Sequence, residues 1–399
     1  MTQPAVAMAL EGYKVLDVSQ MLAGPQCGMR LGDLGADVLK IEPPEGEWQR
    51  HHAIADAYVG GETTGLLGMN RNKRSVTLNL KHEEGRELFY RLARQADVVI
   101  QNFRHGTAER LGIGYEDLRA LNPRLVYCSI SGYGEDGPYR NRPGQDLVIQ
   151  GYAGAMFSAG SKTDRPAVSP IYIMDVMASY QASVGILAAL LARGRSGEGQ
   201  KVGISMFAVG LDAQQQELSA FLNLGLTPPR SDEPLANAWI NAPYGVYRSR
   251  DGYLTLAMAP LHLLGEALDD DFLRGLTQWS DGTTHRDEVF RICERILPGR
   301  STAEWLDIFG RYNIWAGPVY SYADLPDDPH VKATEMIVEV PHPTIPHLRM
   351  PNVPIKLSGT PASIRRHPPL LGEHTGEVLR EWLGVDAGEV ARLRAAGAI

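Results

Sequence analysis

Cysteine is scarce in this 399-residue sequence, which contains only Cys27, Cys128 and Cys293 and no C-x-x-C pair. Zinc centres and disulfide frameworks need clustered cysteines, so we expect neither, and a reducing cytoplasm is the expected location. Residues 1–10 lack the basic start and the apolar core of a signal peptide. The unbroken apolar runs are also far shorter than the ~20 residues of a membrane span, so no membrane association is expected.

Several functional motifs are missing as well. The eleven histidines form neither H-x-x-x-H nor H-E-x-x-H, so no metal site is predicted. The absence of G-x-x-x-x-G-K-[ST] and of G-x-S-x-G argues against P-loop nucleotide hydrolysis and against a serine hydrolase of the α/β type. The net charge of −8 includes no long basic tract, which argues against nucleic-acid binding.

The composition is that of a folded protein, with 44% hydrophobic and 22% charged residues. Strand patterns alternate with helix patterns in the first 200 residues, which predicts an α/β fold with a doubly wound, Rossmann-like parallel sheet. The predicted strands are Lys14–Val18, Asp37–Ile41, Val76–Leu80, Asp97–Ile100, Leu125–Ile130 and Lys201–Ser205. Ligands bind at the carboxyl ends of such strands.

The predicted domains follow from where this alternation stops. We expect a discontinuous large α/β domain over residues 10–225, to which residues 345–399 return, and a smaller α+β domain over 241–330. A linker over 226–240 and a Pro-rich connector over 331–369 join them. Within the small domain, a hairpin from Tyr244–Tyr247 and Gly252–Leu256 precedes helices at Arg286–Ile296 and Thr302–Tyr312, and the tail Thr375–Ala396 is helical.

Asp175 separates the apolar stretch Ile171–Met174 from a helix-patterned run, Val176–Arg193. Apolar residues recur there every three or four positions and predict one buried face. That face consists of Met177, Tyr180, Val184, Leu187 and Leu191. A carboxylate at the start of a buried helix is held in place and is favoured by the helix dipole. A catalytic nucleophile and a plain N-cap both fit this pattern.

The sequence Gly132–Gly137 matches G-x-G-x-x-G after a strand, but Pro138 and a polar loop follow where a dinucleotide site needs a helix. A glycine-rich loop that covers a ligand fits better. Cations near predicted loops would suit a ligand with several phosphates, or they form an ordinary solvated surface. These cations are Arg71, Lys73, Arg74, Lys81, Arg104, Arg110, Arg140 and Arg142.

Ordered segments along the chain carry a family resemblance. They are Val15–Asp17 with Ala23–Pro25, Leu34–Glu42, Asn72–Ser75, Asp97–Val99 with Asn102–Phe103, Leu121–Arg124, Gly132–Gly134 with Gly137–Tyr139, Arg142–Asp146, Asp175 with Gly185–Leu190, and Leu370–Thr375. In order and spacing they resemble the class III coenzyme A transferases, the group of formyl-CoA transferase and carnitine CoA-transferase. The α-methylacyl-CoA racemases share the fold and much of the pattern.

The resemblance implies a transferase that moves CoA from an acyl-CoA to a small carboxylic acid, with CoA esters as substrates, no permanent cofactor, and an interlocked homodimer. Asp175 would be the nucleophile and would pass through an aspartyl anhydride and an aspartyl-CoA thioester. The implied CoA contacts are Met21, Leu22, Leu78, Lys81, Asn102, Phe103, Arg110 and Met206, with Arg142 matched more loosely.

Two departures and two rival functions qualify this interpretation. Pro43-Pro44 stands where the family often has an arginine, so the adenine end of CoA is expected to be held differently. Asn237–Gly245 lacks the glycine-rich flap of formyl-CoA transferases, so a formyl/oxalate pair is not expected. Gln145 stands where racemases place a histidine, and a glutamine cannot carry a proton between substrate atoms. A racemase-like enzyme and a CoA-binding protein without turnover are the alternatives. The residues Tyr139, Tyr152, Met156, Trp239 and Tyr244 line an acyl pocket or serve only in packing.

Overall fold

The computed structural model describes residues 7–399, and a parallel sheet forms its centre. Residues 7–205 contain eight strands: β1 (Lys14–Asp17), β2 (Asp37–Glu42), β3 (Tyr58–Val59), β4 (Glu62–Thr63), β5 (Lys73–Thr77), β6 (Val98–Gln101), β7 (Val126–Ser131) and β8 (Lys201–Ser205). β3 and β4 form a small hairpin, and the other six form one parallel sheet in the order β5-β2-β1-β6-β7-β8. The predicted α/β fold with a parallel sheet is therefore confirmed. The chain reverses direction across the sheet between β1 and β6, which is where doubly wound folds bind ligands.

One predicted strand has shifted boundaries. β5 begins at Lys73 rather than at Val76, and its first two side chains are charged yet buried. Lys73 pairs with Asp17 at 2.7 Å and Arg74 pairs with Asp37 at 2.5 Å. Asp37 lies on the adjacent strand β2, and Asp17 lies on β1, one strand further along the sheet. Burial in pairs thus allows a strand at residues that hydrophobic patterning assigns to a loop.

Ten helices lie between residues 7 and 224. They are α1 (Ala23–Asp33), α2 (Trp48–His51), α3 (Thr64–Met69), α4 (Glu83–Ala93), α5 (Thr107–Arg110), α6 (Tyr115–Leu121), α7 (Asp146–Ala153), α8 (Ile173–Ser196), α9 (Met206–Asp212) and α10 (Gln215–Leu224). Short 3-10 turns lie at Ile54–Asp56 and Ala155–Ser158. The apolar core joins sheet residues such as Leu16 and Val99 to α4, α6 and the C-terminal helices.

The buried face of α8 differs from the one predicted. Small residues, chiefly Ala178, Ala182 and Ser183, are buried where α8 packs on α1 and the sheet. The larger residues Val184 and Leu191 are 60% and 71% exposed, Tyr180 is also exposed, and Met177 and Leu187 are only partly buried. The predicted helix is therefore confirmed, but the prediction of its buried face is wrong, because small side chains allow the close approach of α8 to its neighbours.

Within residues 7–399, α8 is the one helix that is long and apolar enough to cross a membrane, by length and composition alone. Nearly half of that stretch is buried within the fold. The same combination is typical of a core helix.

By contacts, the chain divides into two compact units. The first comprises residues 7–149, 171–210 and 329–399, and the second comprises 150–170 and 211–328. Residues 150–170 and 211–225, predicted to lie in the large domain, thus belong to the second unit. The predicted linker 226–240 is also paired rather than free: Gly160 bridges to Leu235, and the amide of Ala238 donates to the carbonyl of Ser158.

The second unit contains a three-stranded antiparallel sheet of β9 (Gly245–Arg248), β10 (Tyr253–Leu256) and β11 (Ala316–Pro318) in the order β11-β10-β9. Its further helices are α11 (Leu261–Leu268), α12 (Asp271–Gly275), α13 (Asp281–Thr284), α14 (Arg286–Ile296) and α15 (Thr302–Arg311), with 3-10 turns at Leu297–Gly299 and Leu325–Asp327. These helices and the sheet share one apolar core. The predicted hairpin and the two predicted helices are confirmed.

The returning chain of the first unit begins with α16 (Pro329–Ala333). Strands β12 (Ile337–Val340) and β13 (Leu348–Pro351) then pair antiparallel inside the predicted connector. Helices α17 (Thr375–Leu383) and α18 (Ala387–Ala395) form the tail. Trp382 of α17 lies in the core beside the sheet, which ties the tail to the first unit.

Candidate active site

A cavity of about 690 Å³ opens in the first unit, at the carboxyl ends of β1, β6 and β7 and at the start of α8. The loops after β1 and β6 meet there because these adjacent strands lead away in opposite directions across the sheet. Six of the predicted site residues line the cavity: Met21, Leu22, Asn102, Phe103, Asp175 and Met206. The sheet topology therefore brings together residues that lie more than 180 positions apart.

Asp175 is the third residue of α8, and it is not the cap of that helix. The residue before the helix, Tyr172, makes no side-chain cap. Asp146 of α7 does this from outside: its Oδ1 accepts from the amides of Met174 at 2.7 Å and Asp175 at 3.2 Å. The N-cap reading of Asp175 is therefore wrong. Its own carboxylate accepts no hydrogen bond from any residue in the range 7–399 and faces the cavity.

The charge of Asp175 is strongly disfavoured by its surroundings. Burial raises the pKa of this carboxyl to about 7, and the nearby Asp146 carboxylate adds to the rise. No lysine or arginine in the described part of the chain forms an ion pair with it. The dipole of α8 alone would favour the charge, but desolvation and the like charge outweigh it. The result is a poorly solvated, unpaired carboxylate, which is an activated nucleophile once ionised.

Asn102 fastens the two loops that form the cavity floor. Its Oδ1 accepts from the amide of Gln20 at 2.8 Å, and its Nδ2 donates to the carbonyl of Gln20 at 2.7 Å. Both ends of the amide are thus engaged by the chain itself. Met21, the next residue, has φ 66° and donates its amide to Glu47 Oε2 at 2.9 Å. Such a conformation is uncommon for a methionine and needs support of this kind.

Buried charges hold that support in place. Glu47 also pairs with Lys40 at 2.6 Å, and both side chains are at most 1% exposed. Lys40 contacts the carbonyl of Ser19 at 3.5 Å, and Asp17 accepts from the amide of Ser19 at 3.0 Å. The loop Ser19–Met21 is therefore attached by its main chain to an ionic cluster beneath it. A loop fixed in this way is preorganised to receive a ligand.

The glycine-rich loop after β7 also reaches the cavity. Gly132 and Gly144 both line it, and they pack so closely that a Cβ on Gly132 would lie 2.7 Å from the Cα of Gly144. Gln145 and Asp146 follow directly on the same wall. The sequence pattern at 132–137 thus marks a loop that closes against its own return, at the ligand cavity.

Four predicted CoA contacts do not line the cavity. Leu78 is buried in the core at 1% exposure, so its side chain is unable to contact a ligand. Lys81, Arg110 and Arg142 are exposed, and Arg142 lies over the ring of Tyr139 at 4.1 Å. The predicted roles of these three cations stay predictions.

Several cavity residues went unnoticed in the sequence. Trp48 stacks on the ring of His52 with centroids 4.1 Å apart, and both line the cavity together with Ile54, Thr107 and Tyr172. Residues 43–57 carry no periodic pattern, and only the Trp-x-x-x-His spacing offered a signal. Arg104, one of the cations that the sequence places near predicted loops, also lines the cavity and forms no ion pair within residues 7–399. No group of three or more His, Cys, Asp or Glu side chains in that range has the arrangement of a metal site.

Comparison with known proteins places these features in context. A profile of CoA-transferase family III matches residues 10–375. An acyl-CoA transferase of Fusarium pseudograminearum is 34% identical over 98% of this chain and 88% of its own length. The succinyl-CoA:glutarate CoA-transferase of Mus musculus is 31% identical over 98% of this chain and 90% of its own. The crystal structure of a CAIB/BAIF family protein from Brucella suis superposes with a TM-score of 0.83 at 30% identity, and covers 94% of this chain and all of that one.

Proposed function

Because this chain belongs to CoA-transferase family III, as its sequence motifs predicted, we propose that Asp175 is the residue through which CoA is transferred. The single observation that carries the proposal is the position of its carboxylate: unpaired, partly desolvated and facing a cavity large enough for an acyl thioester. Cavities of this size accept most of a small ligand. The chain is an enzyme of CoA transfer, and the covalent steps at Asp175 are our proposal.

In the first half of the reaction, an oxygen of Asp175 attacks the thioester carbonyl of the donor. The C–S bond breaks, CoA leaves as a thiolate, and an aspartyl–acyl anhydride forms. The thiolate then attacks the carbonyl carbon of Asp175 in the anhydride, which releases the donor as a free carboxylate and leaves an aspartyl-CoA thioester. No proton is consumed in either step.

The second half runs in the opposite sense. The acceptor carboxylate attacks the aspartyl-CoA thioester and releases the thiolate, which gives an anhydride between Asp175 and the acceptor. The thiolate attacks the acceptor carbonyl of that anhydride, so that the new acyl-CoA forms and Asp175 returns as a carboxylate. Gln145, on the cavity wall, is unable to act as a general acid or base at neutral pH, which favours this chemistry over a two-base racemisation.

We propose that the substrates are succinyl-CoA and a dicarboxylic acid, as in the relative named for succinyl-CoA and glutarate. Arg104 supports this choice, because an unpaired guanidinium in the cavity wall matches the second carboxylate of such an acid. Met21, Leu22, Phe103 and Met206 supply apolar walls near the thioester, and the side chain of Asn102 holds the floor. The exposed cations Lys81, Arg110 and Arg142 are proposed contacts for the CoA phosphates.

A homodimer is proposed as the working form. The apolar stripe of α8 that was expected in the core is instead exposed at Val184 and Leu191. In α10 none of the residues is buried, and the apolar side chains of Leu222 and Leu224 are 74% and 78% exposed. Apolar surfaces of this kind favour association with a second copy, in the interlocked arrangement that the resemblance implies. Light scattering at micromolar concentration tests it: twice the mass of 43.7 kDa is expected, and a monomer refutes it.

The covalent step is tested by trapping. The protein is incubated with succinyl-CoA in the absence of an acceptor, and borohydride then reduces the aspartyl-CoA thioester to an alcohol that peptide mass spectrometry locates. We expect modification at Asp175, none in Asp175→Asn, and normal modification in Glu116→Gln, whose side chain is 80% exposed on α6. Bound CoA ester without any adduct would instead indicate a binding protein, and deuterium exchange at the acyl α-carbon would indicate the racemase reaction.

A further inference from the structure

The second unit contains a cavity of its own, of about 650 Å³, next to the start of α14. Leu226, Pro228, Pro229 and Trp239 form an apolar wall. Arginine, serine, threonine and asparagine side chains and the carboxylates of Asp287 and Glu288 line most of the remainder. A concave apolar surface with a few polar groups is the usual form of a small-molecule site.

Arg286 is the unusual residue of this cavity. It is only 8% exposed, and its Nη2 donates to the carbonyls of Ala238 at 3.0 Å and Ile240 at 3.3 Å. Its Nε, by contrast, has no hydrogen-bond partner, and no carboxylate in residues 7–399 forms an ion pair with it. Burial lowers the pKa of this guanidinium, and the Asp287 carboxylate, which is too distant for an ion pair, offsets only part of that effect. Buried arginines are normally paired, so an acceptor is missing here.

Ser231 adds a second donor to the same cavity. Its Oγ is buried and has no hydrogen-bond partner, while its carbonyl accepts from the amide of Lys162 at 2.8 Å and so fixes its position. The acidic residues at the rim do not supply the missing acceptor. Asp287 accepts from the amides of Asp232 and Glu233, both at 3.3 Å, and Glu233 pairs with Arg291 at 2.8 Å. Glu288 lies 3.9 Å from the ring of His285 and forms no ion pair with Arg286.

We propose that this cavity binds a small organic acid, whose carboxylate accepts from Arg286 Nε and Ser231 Oγ and whose apolar body lies against Trp239 and the two prolines. Asp287 and Glu288 already place negative charge in the lining, so a ligand with a single negative charge is favoured over a phosphate dianion. Arg230 reinforces the positive potential, because both of its terminal nitrogens donate to carbonyl oxygens rather than to a carboxylate. The cavity shares no lining residue with the cavity of Asp175, and the proposal does not rest on the proposed function.

Benzoate is a suitable probe, because it joins a carboxylate to a flat apolar body. Crystals soaked in 4-bromobenzoate are expected to give an anomalous bromine peak in the cavity beside Trp239, with the carboxylate at Arg286 and Ser231. Calorimetric titration with benzoate is expected to give binding that benzamide, its neutral counterpart, and inorganic phosphate do not give. No peak in this cavity, or equal binding of benzamide or phosphate, overturns the proposal.

Variants separate this site from the one at Asp175. Arg286→Lys keeps the charge but removes Nε, and Ser231→Ala removes the hydroxyl without disturbing the fold; we expect about tenfold weaker benzoate binding in the first and a smaller loss in the second. Arg274→Gln is the control, since that partly buried arginine pairs with Asp269 and Asp271 and does not line the cavity. Unchanged affinity in both Ser231→Ala and a folded Arg286→Lys refutes the assignment.

Discussion

Replacement of Asp175 by asparagine is expected to stabilise the protein, and more so at higher pH. The folded pKa lies near 7 instead of 3.8, because burial and Asp146 oppose the charge. Between these two values the folded state binds more protons than the unfolded state, so the free energy of unfolding falls as pH rises. Each pH unit is worth about 1.4 kcal/mol, which gives at most about 4 kcal/mol of destabilisation above pH 7. Asparagine has nearly the same shape and carries no charge.

The assay is differential scanning calorimetry of wild type and Asp175→Asn at several pH values between 5 and 8. About 3 kcal/mol of the effect develops over this range, so the Tm advantage of the variant should be clear at pH 8 and much smaller at pH 5. Glu116→Gln, on an exposed side chain, is the control and should show no such trend. A Tm difference that does not vary with pH, or a variant less stable than wild type at pH 8, would refute the reasoning.

Three further predictions concern the cavity of the first unit. Asp146→Asn keeps an oxygen for the two helix amides but removes the like charge, so the pH at which adduct formation by Asp175 reaches half its maximum should fall; an unchanged pH profile contradicts this. Lys40→Met leaves Glu47 buried and unpaired, which should lower the free energy of unfolding by about 3–5 kcal/mol in chemical denaturation, whereas Arg94→Met on an exposed pair should change it little. Arg104→Gln should raise KM for glutarate about tenfold or more and leave KM for butyrate unchanged, and equal changes for both acids would exclude a carboxylate contact.

The sequence allowed much of the fold to be predicted, because the strands of the sheet are apolar and short and are separated by helices. Prediction failed where burial depends on partners distant in the chain. β5 begins at Lys73 because Asp17 neutralises that lysine, and 56 positions separate the two residues. The stripe of α8 that packs inward contains five alanine and serine residues beside Ile186 and Leu190, and a count of large apolar side chains overlooks the small ones.

For the site, the sequence indicated Asp175 and the loops after β1 and β6, since the family motifs coincide with strand ends. It did not reveal that Asp146 caps α8 or that Trp48 and His52 form part of the wall. A cap supplied by a separate helix, and a wall built from an irregular segment, have no periodic signature. Only the three-dimensional arrangement of these residues identifies them.

The ionic cluster below the Ser19–Met21 loop has a consequence for how this protein can change over evolution. Its members, Lys40 with Glu47 and Lys73 with Asp17, neutralise each other in a region without water access. Loss of any one member leaves its partner as an isolated ion, so a lineage is unable to drift through these positions one substitution at a time. Homologous chains should either keep each couple intact or exchange both members together for uncharged residues.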